Sequence, residues 1–257
     1  MKITLGPAGT GTSGEEGLKN IASLGLKAVE IEFVRGVYLT NQTAKKFGEL
    51  AKKLKLSLSI HAPYYINLAS KEKAKIAASK KRILQSCERG HHLGAKYIVF
   101  HAAFYQGRGE EEVYQIVKDA VLDMQKTINK NKWNVVLAPE TTGKKSQFGD
   151  LDELLRLKKE TKCELCVDFA HIYARNNGKI NYDEIFKKLK PLKHIHSHFS
   201  GIVYTKKGER HHILTEASRL KDFLKYIKKY SADITIINES PDPVGDSVKA
   251  QKLLKNL

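Results

Sequence analysis

The sequence has few cysteines and no long apolar stretch. Its three cysteines, Cys87, Cys163 and Cys166, are too few for the disulfide framework of a small secreted protein. No uninterrupted apolar run approaches the ~18 residues that a membrane-spanning helix needs, and residues 1–7 lack the apolar core of a signal peptide. We therefore expect a cytoplasmic protein in a reducing compartment, with no membrane partner.

Linker-like and low-complexity segments are also missing. The 257 residues include only six prolines, and no Gly-, Pro- or Ser-rich linker separates one part of the chain from another. Hydrophobic residues make up 41% of the chain, a globular composition that excludes wholesale disorder, collagen and coiled coil. We therefore expect residues 1–257 to form a single domain.

Acidic residues are scarce relative to basic ones. The 28 Asp and Glu residues face 45 Lys and Arg residues, which gives a formal net charge of +17. Such a charge favours salt-sensitive encounter with polyanions such as nucleic acids. However, only eight of the basic residues are arginine, and lysines also simply solvate helix faces. The charge alone does not choose between these interpretations.

Eight short β-rich apolar runs alternate with segments of helical periodicity. The first helical segment follows Ser13, which we expect to be its N-cap. Strand–helix alternation repeated eight times in about 250 residues predicts an α/β fold, specifically a (β/α)8 TIM barrel with parallel strands. A doubly wound open sheet is the alternative. The predicted strands are 3–5, 28–33, 56–60, 97–100, 135–138, 163–167, 194–196 and 234–237.

Polar residues concentrate where these runs end. In a TIM barrel the C-terminal ends of the strands carry the chemistry. The residues at or just beyond these ends, in chain order, are His61, His101, Glu140, Asp168, His171, the alternating His194, His196 and His198, then Glu209, His211 and His212 in a predicted loop, and finally Glu239.

A metal centre accounts for this convergence better than core packing does. A single strand-end histidine is ordinarily a hydrogen-bonded core residue, but four carboxylates and at least five histidines at one barrel mouth cannot all neutralise each other. Buried carboxylates without cations are costly. Histidine and carboxylate ligands without thiolate suit Zn²⁺, with Mn²⁺ or Fe²⁺ as alternatives. Nine ligands predict two or three ions, and clustered ions are typical of phosphoryl chemistry.

Six motifs, in order along the chain, resemble those of endonuclease IV, the family-2 apurinic/apyrimidinic endonucleases. The motifs are His61-Ala62-Pro63-Tyr64-Tyr65-Ile66-Asn67-Leu68, Val99-Phe100-His101, Pro139-Glu140-Thr141-Thr142-Gly143, Asp168-Phe169-Ala170-His171, Glu209-Arg210-His211 and Asn238-Glu239-Ser240-Pro241-Asp242. The resemblance implies a TIM barrel with about three Zn²⁺ ions. It also implies a base-excision-repair activity that cuts DNA on the 5′ side of an abasic site through a metal-bound hydroxide, leaving 3′-hydroxyl and 5′-deoxyribose phosphate ends.

The resemblance also implies a role for each ligand. By this reasoning His61 and His101 bind one zinc, and Glu140 bridges it to a second. Asp168, His196 and Glu239 complete the second zinc, and His171, Glu209 and His211 bind the third.

The sequence departs from the family pattern in two places. Glu209 stands where the family usually has Asp. His196-Ser197-His198-Phe199 replaces a usual His-x-Asn-Asp, so His194 or His198 competes with His196 as ligand. We choose His196 because its distance along the chain to Glu209 fits the family.

The resemblance further implies an abasic double-stranded DNA substrate, gripped by loop side chains that penetrate the duplex. Tyr64 matches a family tyrosine, Tyr65 stands where an aliphatic wedge would be, and Arg35 offers a second wedge. Flipping is least costly at a damaged nucleotide. We expect the protein to act as a monomer.

Two other functions compete with this one. A single-metal sugar isomerase or epimerase of the related xylose-isomerase-like barrels needs only a Glu, Asp, His, Glu set, which Glu140, Asp168, His196 and Glu239 also provide. Such an enzyme has no need of the five remaining ligands, and the charge of +17 suits DNA better than a neutral sugar. A non-catalytic nucleic-acid-binding barrel is the second alternative, against which the complete ligand set argues.

Overall fold

The computed structural model, which describes residues 1–12 and 14–257, is a closed barrel of eight parallel strands surrounded by helices. The predicted (β/α)8 fold is confirmed. The barrel strands are β1 (Ile3–Pro7), β2 (Ala28–Glu32), β3 (Ser57–His61), β4 (Tyr97–Phe100), β5 (Val136–Pro139), β6 (Cys166–Asp168), β7 (Ile195–Phe199) and β10 (Ile234–Asn238). The helices are α1 (Gly14–Ser23), α2 (Asn41–Lys53), α3 (Lys73–Leu93), α4 (Glu110–Lys130), α5 (Leu151–Thr161), α6 (Phe169–Arg175), α7 (Tyr182–Leu189), α8 (Ala217–Lys229) and α9 (Pro243–Lys255).

Two four-stranded sheets make up the barrel wall. One has the order β1-β10-β7-β6 and the other β2-β3-β4-β5. Single parallel bridges join them, between Ala8 and Glu30 on one side and between Glu140 and Cys166 on the other. Both bridges involve a carboxylate residue of the barrel lumen, so the closure points of the wall also belong to its polar interior.

Alternation along the strands separates an apolar outer layer from a polar lumen. In β7, Ile195 and Phe199 are buried, and Phe199 stacks on Phe223 of α8 with ring centroids 4.5 Å apart. His196 and His198 occupy the alternate positions, so they point to the opposite, inner side. Apolar residues between helices and strands thus stabilise the barrel, while its centre carries ionisable groups.

The structure differs from the sequence-based prediction after β7. Residues predicted to be a loop form an antiparallel hairpin of β8 (Gly201–Thr205) and β9 (Gly208–Ile213). Gly208 adopts φ +98° at the turn, a conformation that favours glycine. A short helix, α6, directly after β6 was also not predicted.

The predicted N-cap Ser13 lies outside the described residues. Among the residues that are described, none of the helices combines the length and apolarity needed to cross a bilayer.

Candidate metal centre

Three groups of histidine and carboxylate side chains meet at the C-terminal end of the barrel. Within each group, one potential ligand atom from every residue lies within 4.8 Å of the others. The groups are His61, His101 and Glu140; Glu140, Asp168, His198 and Glu239; and His171, Glu209 and His212. Glu140 belongs to the first two, and His171 Nδ1 of the third lies 3.4 Å from Glu140 Oε1, so the three groups form one continuous centre. Two further groups, Cys166, His196 and His198 and Glu30, Glu32 and Glu239, share His198 and Glu239 with the second.

Glu140 lies at the middle of this centre and is 1% exposed. Its Oε2 atom lies 3.2 Å from His61 Nε2 and 2.9 Å from His101 Nε2. Its Oε1 atom lies 3.0 Å from His198 Nδ1. The two carboxylate oxygens therefore face different groups, which is the arrangement required of a bridging ligand.

The two carboxylate oxygens of Asp168 have different roles, one in capping a helix and one in the second group. Oδ1 accepts a hydrogen bond of 2.7 Å from the His171 backbone N–H and so caps helix α6. Oδ2 is buried without a hydrogen-bond partner among the described residues. Strand register sets Asp168 opposite His198, and His198 Nδ1 lies 3.2 Å from Glu239 Oε1. These three side chains and Glu140 form the second group.

The hairpin supplies the third group. His171 Nε2 lies 3.4 Å from Glu209 Oε2, and the rings of His171 and His212 are 5.3 Å apart. The Glu209 backbone N–H donates a hydrogen bond of 2.9 Å to the Gly143 carbonyl. A Cβ atom added to Gly143 would lie 2.5 Å from Glu209 Cβ. Only glycine at position 143 lets β9 approach the end of β5 so closely.

Two of the nine predicted ligands, His196 and His211, lie outside these three groups. His198 occupies the second group in place of the predicted His196, because His196 points into the lumen one alternation nearer the N-terminal end of β7. His212 occupies the third group in place of the predicted His211. A register shift in β9 leaves Arg210 as an extra residue, and such a bulge moves the next inward position one residue along. The other seven lie in the three groups, and their role as ligands stays a prediction.

Neighbouring acceptors orient two of the histidines. His61 Nδ1 lies 2.8 Å from the Ala62 carbonyl, and His171 Nδ1 lies 2.9 Å from the Thr141 carbonyl. A carbonyl can only accept, so Nδ1 carries a hydrogen in both rings, and Nε2 is the nitrogen that faces each group. Histidine ligands of metals are typically fixed in this way.

The buried ionisable groups of the centre have strongly shifted pKa values. Burial raises the pKa of Asp168 to about 6 and that of Glu32, nearby on β2, to about 8. Burial by itself would lower the pKa of His61, but its hydrogen bond to Glu140 and the surrounding carboxylates raise it to about 10. Despite burial, His198 lowers the pKa of Glu140 and of Glu239, so these carboxylates are ionised and face protonated histidines. Divalent cations that displace the histidine protons would supply positive charge in their place.

The donor set therefore fits metal ions. Asp168 Oδ2 and His171 Nε2 are both buried and without hydrogen-bond partners in the described part of the chain, and both belong to the groups. Imidazole and carboxylate donors suit Zn²⁺, Mn²⁺ or Fe²⁺. The three groups could hold these ions, with Glu140 shared between two.

An open cavity of ≈ 470 Å³ leads to the centre, lined by Tyr64 and by residues of all three groups. Tyr64 and Tyr65 are 58% and 63% exposed, and Arg35 is also exposed. The Tyr64 backbone N–H donates a hydrogen bond of 3.1 Å to the Val34 carbonyl, and this bond joins the loops after β2 and β3. The three predicted DNA contacts thus lie on adjacent loops at the rim.

Sequence reasoning missed two carboxylates of β2, Glu30 and Glu32. Both point into the lumen, where Glu30 contacts His196 and His198, and Glu32 lies near Glu239. The available pattern was two glutamates at alternate positions of an otherwise apolar strand, Ala28–Glu32, which places both on one face.

The third group leads to a testable difference between adjacent histidines. We expect His212→Ala to lower the metal content of purified protein by about one ion per chain, because a closed zinc site needs three to four ligands. The matched control, His211→Ala, removes an exposed side chain outside the groups and should leave the metal content unchanged. Elemental analysis of both variants measures the difference; the reverse pattern would show that His211 is the ligand.

Comparison with known proteins places this chain among related barrels. A family model for the xylose isomerase-like TIM barrel matches residues 18–257. An uncharacterized protein of Methanocaldococcus jannaschii is 38% identical over 100% of this chain and 98% of its own length. Probable endonuclease 4 of Aquifex aeolicus is 25% identical over 80% of both chains. That of Mesomycoplasma hyopneumoniae strain 7448 is 29% identical over 59% of this chain, which spans only 57% of that relative.

Solved structures share the fold at low sequence identity. Endonuclease IV from Thermus thermophilus superposes with a TM-score of 0.74 at 19% identity, covering 100% of both chains. A D-tagatose 3-epimerase-like protein superposes with a TM-score of 0.70 at 20% identity, covering 100% of this chain and 96% of that one. The same barrel thus carries a nuclease in one neighbour and an epimerase-like protein in another.

Proposed function

The chain belongs to the xylose isomerase-like TIM barrel family, and we propose that within this family it is a metal-dependent apurinic/apyrimidinic endonuclease of base excision repair. Its substrate is double-stranded DNA containing abasic sites. It hydrolyses the phosphodiester on the 5′ side of the lesion and leaves 3′-hydroxyl and 5′-deoxyribose phosphate ends.

The observation that carries this proposal is the presence of three ligand groups rather than one. A sugar isomerase of this fold class needs only the group of Glu140, Asp168, His198 and Glu239. The two additional groups, built on His61 and His101 and on His171, Glu209 and His212, have no part in such a reaction. Clustered metal sites suit phosphodiester hydrolysis, in which both attacking and leaving oxygens need charge stabilisation. Relatives named probable endonuclease 4 support the same assignment.

The side chains of the centre hold about three divalent ions, mainly Zn²⁺ in this proposal. Bound ions supply Lewis-acid charge that stabilises the negative charge developing on the phosphate. Glu140 joins two groups and keeps them at a fixed separation. The Ala62 and Thr141 carbonyls fix His61 and His171 with Nε2 toward the centre, so little reorganisation is needed when ions and substrate bind.

The rim side chains contribute recognition of the lesion. Tyr64 lines the cavity beside His61, with ring centroids 5.8 Å apart. Partial burial and the facing carboxylates raise the pKa of its hydroxyl to about 12, so the hydroxyl remains a hydrogen-bond donor at neutral pH. Tyr65 and Arg35 occupy the neighbouring rim, from which they can enter the gap left by a missing base. The net charge of +17 favours the approach of a duplex.

We expect Tyr64→Ala to weaken binding to an abasic duplex by about tenfold, because a stacked aromatic contributes on the order of 1–3 kcal/mol. Binding to the same duplex with an intact base should change less, since Tyr64 then has no gap to enter. Fluorescence titration with both duplexes measures the difference. Equal losses on the two DNAs would show that Tyr64 serves only the structure of the rim.

The test of the proposed activity is incision of a labelled duplex with one abasic analogue by metal-replete protein. Cleavage at the 5′ phosphodiester of the lesion, with no cleavage of the matched intact duplex, is the expected result. An abasic duplex that stays intact at stoichiometric protein concentration would contradict the proposal.

A sugar epimerase is the second candidate. The single group of Glu140, Asp168, His198 and Glu239 satisfies its ligand requirement, and a D-tagatose 3-epimerase-like protein shares the fold. Interconversion of ketohexoses by the same preparation, together with failure to cut DNA, would favour it over the endonuclease.

A further inference from the structure

The N-terminal end of the barrel, opposite the metal centre, contains a cavity of ≈ 210 Å³. TIM-barrel interiors are ordinarily filled by branched apolar side chains. Here Thr4 of β1, Ser59 of β3 and Thr235 of β10 line the cavity, and each is less than a tenth exposed. Short hydroxyl side chains in these positions leave space inside the wall and surround it with polar groups.

One wall of the cavity is a stack of rings. The Tyr97 ring stacks on His196 with centroids 4.7 Å apart and an interplanar angle of 14°. It also stacks on His194, with centroids 6.3 Å apart and an angle of 22°. His194 Nε2 lies 3.1 Å from the Thr235 hydroxyl, and this contact joins the stack to β10. Packing and hydrogen bonding therefore hold the polar groups of this wall in place.

Positive groups outnumber negative ones around the cavity. Lys2 and Lys96 line it, and Asp233 is the one carboxylate among the described lining residues. Asp233 Oδ1 already accepts a hydrogen bond of 2.6 Å from the Lys2 backbone N–H. Burial lowers the pKa of His194, and His196 and Lys96 each lower it further by more than Asp233 raises it. The potential in the cavity is therefore positive, which favours an anion.

We propose that this cavity is a binding site for a small tetrahedral oxyanion, namely phosphate, either free or as the end group of a small phosphate monoester. Lys2 and Lys96 supply charge and donors, and the hydroxyls of Thr4 and Ser59 donate to the anion oxygens. These donors come from several strands around the cavity. That arrangement suits the four oxygens of a tetrahedral anion better than the two of a carboxylate.

The size and place of the cavity agree with such a ligand. Its ≈ 210 Å³ exceeds the ~30 Å³ that one water occupies in the liquid, so it can hold a phosphate together with a few waters. The site goes beyond the proposed function, because the DNA phosphates of that reaction approach the metal centre at the other end of the barrel.

The experiment is calorimetric titration of the purified full-length protein with inorganic phosphate, with glycerol phosphate as a small monoester, and with acetate at the same ionic strength. We expect saturable binding of phosphate and none of acetate. Lys96→Gln should weaken phosphate binding by about 10–100-fold, because hydrogen bonds to charged groups are the stronger ones. Thr4→Val keeps the shape of the side chain but removes the hydroxyl, and it should also weaken binding. Tighter binding of glycerol phosphate than of inorganic phosphate would identify a monoester as the ligand.

The matched control is Lys53→Gln, which removes an exposed lysine of the outer helix α2 and should bind phosphate as the wild type does. If Thr4→Val does not fold, Ser59→Ala removes a second hydroxyl of the same cavity and should show the same loss. Phosphate binding that is unchanged in all the cavity variants would place the anion at the metal centre and overturn the proposal. Absence of saturable binding to the wild type would overturn it as well. Failure of the wild type to cut DNA would overturn only the proposed function, because phosphate binding is measured without DNA.

Discussion

Replacing Glu140 with glutamine should lower the rate of abasic-site incision by on the order of 10³-fold. Glu140 is buried, and its two oxygens face different ligand groups. An amide keeps the shape but offers only one oxygen and no charge, so it cannot bridge two ions. Metal ions contribute several kcal/mol of charge stabilisation, and about 4 kcal/mol corresponds to about 10³ in rate. Single-turnover incision kinetics measure the loss.

The matched control is Glu49→Gln, an exposed carboxylate on the outer helix α2, which should cut at the wild-type rate. Circular dichroism must show that the Glu140→Gln protein remains folded. A loss of only a few-fold in a folded protein with normal metal content would remove Glu140 from the centre.

Removal of the metal ions should abolish incision and lower the thermal stability of the protein. Without ions, the carboxylates of Glu140, Asp168 and Glu239 face each other in a buried site, which is unfavourable. Ions that bind only the folded chain stabilise it by mass action. Dialysis against a chelator, followed by incision and melting measurements, tests both effects, and added zinc should restore both.

Metal binding should also depend on pH in a defined direction. The surrounding carboxylates raise the pKa of His61 to about 10 in the ion-free protein, against the effect of burial. His61 must lose this proton before Nε2 can bind a metal, so binding releases protons and the apparent affinity rises with pH. Zinc affinity that stays constant between about pH 6 and 9 would contradict this, since a protonated His61 cannot act as a ligand.

The barrel could be predicted from sequence because its strands and helices have distinct periodicities. Runs such as 97–100 and 234–237 are short and apolar, and a helical segment separates each run from the next. Few chain topologies are compatible with this alternation. The hairpin Gly201–Ile213 escaped prediction although β8, Gly-Ile-Val-Tyr-Thr, is rich in β-forming residues. Its partner β9, Gly-Glu-Arg-His-His-Ile, is polar and partly exposed, and its composition does not separate it from a polar loop.

The site was predictable where a residue directly follows a strand and less so elsewhere. Glu140 and Glu239 lie at strand ends, where topology alone brings them together. His194, His196 and His198 share one face of β7 by alternation, so spacing cannot decide which of them reaches the carboxylates. That depends on register, which sets His198 opposite Asp168. The choice between adjacent histidines in β9 depends on a bulge, which has no sequence signature here.

The most direct test of a multi-metal phosphodiesterase centre is a crystal structure of zinc-replete protein with anomalous diffraction at the zinc edge. We predict about three peaks per chain: one at His61 and His101, one at Asp168, His198 and Glu239, and one at the hairpin group, with Glu140 between the first two. A single peak at Glu140, Asp168, His198 and Glu239 in fully loaded crystals would contradict the endonuclease account, because one ion in that group is the arrangement that a sugar epimerase requires.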